Sequence, residues 1–349
     1  MTATIGGTYQ QPLPPTIIVP AYNIQDGNEI IATGRGIWVS SFDYYGTSSV
    51  GATSFSFPDI EGSYGSFMAS MPSTITTISA PNLVYLGSSA FGAAPTTYAS
   101  LTSISLPKLR ISGTLFGNNT MNALTSLDLP LWTSGSFQPT SINGLTSLSF
   151  PSLRFLNVFN ILNATSLTAI STPSLVRIDS ILLSVPACTT WTLPPLGTWK
   201  ILTSSFSVTS CAFNQATVDN ILAALAYMDG TNGTLAYSTG RSVTITGTSS
   251  APTNLGSTTT AGSNFVGAGT TCTVNMTAHG YATDDVLRIS GITTLTNANR
   301  YARITVVNAN QFTYTIPSQT ATGAGTATVI KAGASAKALV TRGVTLATN

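Results

Sequence analysis

Seven prolines recur at nearly one spacing. Pro58, Pro81, Pro107, Pro130, Pro151, Pro173 and Pro194 lie 21–26 residues apart. The same pattern surrounds them. Leu145-Thr146-Ser147-Leu148-Ser149-Phe150-Pro151-Ser152-Leu153 carries it most fully, and Leu124-x-x-Leu127-x-Leu129-Pro130 and Leu101-Thr102-Ser103-Ile104-Ser105-Leu106-Pro107 repeat it. In an extended segment Leu127 and Leu129 point to the same face. One such segment cannot bury that face alone. Copies stacked about 4.8 Å apart pair their backbones and build a continuous apolar column. Proline lacks an N–H and fits poorly inside a central strand, so its constant phase predicts that it ends each short strand and starts a turn. A β-sandwich of similar strand spacing gives no reason for phased prolines. The pattern predicts a parallel-strand solenoid, with Leu106, Leu129, Phe150 and Thr172 in one line on successive rungs.

Composition narrows the function. Charged residues make up 7% of the 349 and the net charge is +2, where ordinary soluble proteins carry about 25% charged residues. No basic stripe is present, so the electrostatic footprint of a nucleic-acid binder is missing. Solubility must come from Ser, Thr, Asn and Gly on regular β structure. No apolar run reaches the roughly 18 residues of a membrane-spanning helix. Met1 to Gly7 has neither the basic nor the apolar region of a secretory leader. Synthesis in a host cytoplasm and release by lysis fits both the composition and that start.

Taken in order, residues 1–48 read as an arm and an N-terminal β cap. Gln10-Gln11-Pro12-Leu13-Pro14-Pro15 favours an extended polyproline conformation. Glu29 to Thr33 and Gly36 to Ser40, separated by Gly34-Arg35, predict a hairpin. Trp38, Phe42, Tyr44 and Tyr45 suit its core or a partner contact. Residues 49–212 are the solenoid. Asn214 to Met228 predicts a helix, because Val218, Ile221, Leu222 and Leu225 share one face, with Asn214 or Thr217 as cap and Asp229-Gly230 as stop. Arg241 to Gly247 predicts a strand, Ser335 to Gly343 a helix and Val344 to Thr348 a strand. Residues 213–256 and 332–349 together read as a C-terminal α/β cap that continues the parallel sheet. Residues 257–331 read as an inserted small β-barrel or sandwich with five strands, opening on a flexible linker at Ser257 to Ser263.

The chain carries three resemblances. Ala80-Pro81-Asn82-Leu83 through Ala90-Phe91 to Leu101-Thr102-Ser103-Ile104-Ser105-Leu106-Pro107 resembles the BspA or Treponema pallidum type of leucine-rich repeat, whose period of about 20–29 residues also matches. Phe116 and Phe137 keep its aromatic in later rungs. Thr217 to Leu225, Ser250-Ala251-Pro252 and Leu339 to Thr345 resemble the ends of phage structural proteins. Ala278 to Gly291 resembles a small β module of phage tails and fibres, with Asp284-Asp285 where that module has Gly-Asp. The resemblance implies a non-enzymatic virion protein: a capsid decoration protein, head fibre or tail-associated adhesin. Its arm would hold capsid or tail proteins, and its β domain could face a host surface glycan or protein. It could also be a homo-oligomer. A bacterial cell-surface adhesin is the alternative, and a polysaccharide-degrading spike a more distant one. No catalytic, metal or cofactor residues are assigned. Tyr281, Tyr301 and Tyr314 are the candidate ligand or partner contacts, with core packing the competing role.

Other chemistry is sparse. His279 is the only histidine, which removes multi-histidine metal sites; a Ser–His pair and a plain turn residue remain open. Asp284 and Asp285, adjacent in a strand, point to opposite faces and make poor acid/base partners. Cys188 falls where Leu124 and Leu145 sit in their rungs, and Cys211 lies about a rung later. They read as buried thiols or as an inter-rung disulfide.

Overall fold

Five of the seven phased prolines sit in a hydrogen-bonded turn at one corner of a coil. In the segments Ala80–Leu83, Leu106–Leu109, Leu129–Trp132, Phe150–Leu153 and Thr172–Leu175, the last N–H donates to the first carbonyl at 3.0–3.3 Å. These are β-turns with proline second, where its fixed φ suits the turn and its missing N–H costs nothing. A second turn closes the coil at Tyr98–Leu101, Met121–Leu124, Ile142–Leu145, Ala164–Leu167 and Val185–Cys188. Cys188 thus holds the place of Leu124 and Leu145. This computed structural model describes residues 30–31, 37–39, 53–68, 74–88, 90–91, 97–196, 198, 201–202, 206–227, 241–252, 254–341 and 344–348. The proline-rich arm, Phe42, Tyr44 and Tyr45 lie outside them.

The corners divide the coils into two ladders of parallel strands. The short ladder runs β1 (Ile30–Ile31), β3 (Ser54–Ser56), β5 (Thr77–Ser79), β7 (Ser103–Ser105) and β9 (Ser126–Asp128), and resumes as β11 (Ser147–Ser149), β13 (Ala169–Ser171) and β15 (Thr190–Thr192). The long ladder runs unbroken through β2 (Ile37–Val39), β4 (Ile60–Ser63), β6 (Tyr85–Leu86), β8 (Ile111–Gly117), β10 (Ser134–Gln138), β12 (Phe155–Ile161) and β14 (Arg177–Ser184), with β16 (Ile201–Leu202) beside β14. It continues through β17 (Phe206–Cys211), β18 (Ser242–Gly247) and β27 (Thr345–Thr348). The protein is a parallel β-solenoid of about six turns.

Ile30–Ile31 pairs with Phe55–Ser56, and Ile37–Val39 pairs in the other ladder with β4. The expected hairpin is therefore a further rung.

Between the ladders runs one core. Leu106, Leu129, Phe150 and Thr172 are all buried at the same corner of successive rungs. The only hydroxyl among these four, on Thr172, accepts from Trp191 Nε1 at 3.0 Å. Trp132 Nε1 likewise donates to Ser112 Oγ at 3.0 Å, so both buried indole N–H groups are satisfied inside the core. Gly135 permits the second bond, because a Cβ there would fall 2.4 Å from Ser112 Oγ. Aromatic rings form a spine. Phe137 lies 5.3 Å from both Phe116 and Phe150 and 6.1 Å from Phe159. Phe116 stacks on Phe91, and Phe159 meets Trp191.

Outside, hydroxyls replace charges. Thr76, Thr102, Thr125, Thr168 and Thr189 each donate Oγ1 to the carbonyl of the threonine one rung earlier, at 2.7–3.3 Å. The step from Thr125 to Thr146 carries no such bond, and there the short ladder is interrupted between β9 and β11.

The helices and strands expected after residue 213 form. Asn214 caps α1 (Gln215–Ala226) by accepting from Thr217 N. α2 (Ala334–Thr341) packs on α1, and β18 and β27 extend the long ladder in parallel. Between β18 and α2 the chain makes an eight-stranded antiparallel sheet with its own core. Its strands are β19 (Asn254–Ala261), β20 (Phe265–Ala268), β21 (Thr271–Asn275), β22 (Val286–Ser290), β23 (Tyr301–Asn308), β24 (Gln311–Thr315), β25 (Ala321–Thr322) and β26 (Thr326–Ala332). Three of these eight escape sequence patterning. Ser257 to Ala261, expected as linker, belongs to β19 and pairs with β26. Its threonines favour extended backbone, and exposure of most of its side chains removes the alternation that marks a strand.

All three cysteines are buried and free. Burial pushes the Cys188 thiol up to about 12, so at pH 8 it is almost wholly protonated. We predict that an alkylating reagent labels Cys188 only on unfolding, as mass spectrometry of native and denatured samples will show. Phe137→Ala, which opens the centre of the spine, should cost about 3–5 kcal/mol in chemical denaturation. Thr125→Val, which removes one exposed hydroxyl bond, should cost about 1 kcal/mol.

Candidate binding cleft

Alternation along β22 splits its side chains between two environments. Leu287 and Ile289, with Ala302 and Ile304 of β23, belong to the core of the antiparallel sheet. Val286 pairs with Arg303 and Arg288 with Tyr301, so these four share the other face. Val286 and Tyr301 join the solenoid core beside Ala336, Leu339 and Leu346. This face is therefore turned toward α2 and β27. A cleft of about 700 Å³ lies between them. Arg288, Arg300 and Arg303 line it from one wall and Val340 and Val344 to Thr348 from the other. No described carboxylate lines it.

Ion pairs hold the junction. Asp285 is buried, and its Oδ2 accepts from Ala282 N at 3.0 Å and lies 2.7 Å from Lys331 Nζ. Its Oδ1 lies 3.5 Å from Lys337 Nζ on α2. Burial pushes the Asp285 carboxyl up, but the Ala282 N–H and the two ammonium groups outweigh it and hold the carboxyl below its ordinary value. Asp284 turns away to Arg303, at 2.7 Å. The two aspartates therefore serve different partners, but from a turn that precedes β22 and not from the strand the sequence suggested. Asp284 has φ 73°, the left-handed conformation that glycine adopts freely.

The candidate tyrosines occupy three different places. Tyr301 is 8% exposed and shares a 2.7 Å hydrogen bond with Thr348 Oγ1. It lines the cleft, and burial pushes its phenol up. Tyr314 is buried in the core of the antiparallel sheet and donates to the Ala298 carbonyl at 3.0 Å. Tyr281 is half-buried and stacks on His279 at 5.4 Å. His279 Nδ1 accepts from Tyr281 N and Nε2 faces the Asn308 carbonyl, each at 3.0 Å. Both ring nitrogens are thus engaged with backbone in a turn.

Sequence reasoning passed over Arg288, Arg300 and Arg303. A signal existed, since three of the 13 basic residues fall between 288 and 303. What hid it is the loop between β22 and β23, whose length gives no register. Among the described residues no group of three His, Cys, Asp or Glu side chains is placed to hold a metal ion, and no helix is long and apolar enough to cross a membrane. Comparison with known proteins finds no matching family model, curated protein or solved structure.

Asp285 makes the junction sensitive to acid. Its folded pKa is lowered, so its contribution is full above the unfolded value of about 3.9 and is lost as pH falls through the folded one. Asp285→Asn should cost about 2–3 kcal/mol at pH 7, and the gap from the wild type should close below about pH 4. Denaturant titrations of both proteins between pH 7 and pH 2.5 measure it.

Proposed function

We propose that the chain is a non-enzymatic structural and binding component of a bacteriophage virion, a decoration protein, head fibre or tail-associated adhesin. One observation supports this most. A solenoid presents a separate antiparallel sheet from the connection between adjacent strands of its own ladder, β18 and β27. That is the arrangement of a stiff stalk with a display module. The stacked turns, the period and the Leu-x-x-Leu-x-Leu spacing favour a leucine-rich-repeat solenoid of the BspA type. Residues 213–256 and 332–349 act as its C-terminal cap and 257–331 as the inserted domain. Residues 1–48 attach it to capsid or tail proteins. A surface of hydroxyls, with 7% charged residues, suits long exposure outside a cell.

Quantitative mass spectrometry of purified particles tests the location. The expected result is a fixed copy number per particle. Recovery in the host envelope fraction and not in particles would favour a bacterial surface adhesin and overturn the proposal. Release of reducing ends from capsule or lipopolysaccharide would point to a polysaccharide-degrading spike.

The insertion makes a separate prediction. Asn254 and Ala332 are cross-strand partners, so a short Gly-Ser linker can replace 255–331. The shortened chain should keep one cooperative thermal transition, lowered by loss of the Asp285–Lys337 and Tyr301–Thr348 contacts. A non-cooperative melt followed by circular dichroism would refute the insertion.

A further inference from the structure

We propose that the cleft between the antiparallel sheet and β27 binds a carboxylate-bearing saccharide, its acid group seated between Arg288 and Arg300. This goes beyond the structural role above and holds whether or not the chain sits in a particle.

Charge carries the first part of the inference. Arg303 is already partnered by Asp284. Arg288 and Arg300 are half-buried, and neither makes an ion pair with any described residue. By contrast, Lys331 and Lys337 beside them share Asp285. A half-buried guanidinium without an ion-pair partner loses hydration and gains little in return. Its planar fork matches a carboxylate through two parallel hydrogen bonds. Both arginines line one cleft that no described carboxylate enters. An acid from solution completes that set.

The remaining walls indicate what carries the acid. Ser290, Thr296 and Thr345 bring hydroxyls, and Pro317 and Val340 bring apolar surface. Alternating hydroxyl and apolar patches suit a sugar ring, which has polar edges and apolar faces. About 700 Å³ falls within the roughly 300–1,000 Å³ of small-molecule sites and accommodates one or two rings. Arg288 stands on β22, and Arg300 immediately precedes β23 with its carbonyl held by Ile289 N at 2.9 Å. The cleft is therefore set before a ligand arrives, which lowers the entropy lost on binding.

Isothermal titration calorimetry of the full chain at low salt tests the proposal. The probes are digalacturonate and N-acetylneuraminate, with the dimethyl ester of digalacturonate, inorganic phosphate and hexaglutamate as controls. At least one sugar acid should bind saturably, and the ester should not. R288Q and R300Q should each weaken binding tenfold or more, with melting temperatures unchanged. Should R288Q melt early, R288K, which keeps the charge but not the fork, must still weaken binding severalfold. The proposal is overturned if neither sugar acid binds, if the ester binds equally, or if the arginine variants leave affinity intact. Equal or tighter binding of phosphate or hexaglutamate overturns it too.

Discussion

No rung of this protein can satisfy its own backbone. In a parallel strand half of the N–H and C=O groups point to the neighbour on either side, and an unpaired group buried away from water is costly. Every other feature of the solenoid serves that one requirement. Proline takes the corner where no N–H is needed. Threonine hydroxyls meet rung carbonyls along one edge of the short ladder. The interior side chains repeat in phase because each must rest on its counterpart one rung away.

Phase alone does not fill the interior. The rungs differ in length, and the aromatic spine absorbs the difference. Trp132 and Trp191 each span to a hydroxyl contributed by an earlier coil, so large rings enter the column without stranding their N–H groups. Where the short ladder breaks between β9 and β11, Leu127 is only partly buried, while Phe137 and Phe159 remain paired across the long ladder. Continuity therefore rests on the long ladder, and the short one tolerates a gap.

Legibility followed periodicity. Leu106, Leu129, Phe150 and Thr172 were readable as one column because a fixed proline phase and a two-residue alternation left a single register. Helix α1 was readable from Val218, Ile221, Leu222 and Leu225, and its cap from Asn214. The eight-stranded sheet was half legible. Gln311 to Thr315 alternates cleanly, whereas Asn254 to Ala261 is mostly exposed and carries no alternation to read. The hairpin expected from Glu29 to Ser40 failed for a related reason: strand spacing does not name partners, and Ile30–Ile31 and Ile37–Val39 pair with β3 and β4 in separate ladders. The arginine cleft was out of reach, because its two walls come from residues 288–303 and 340–348 and nothing local announces their meeting.

A parallel stack is also a polymerisation template, since a second copy could lay its own ribbon along a bare terminal one. In this protein that ribbon is β27, the last in its ladder. The phenol of Tyr301 is already fastened to Thr348 there, and β22 and β23 pack beside it against α2. Another molecule would have to displace that module before it could dock. The same module that walls the cleft thus also stands beside the last described ribbon of the spine.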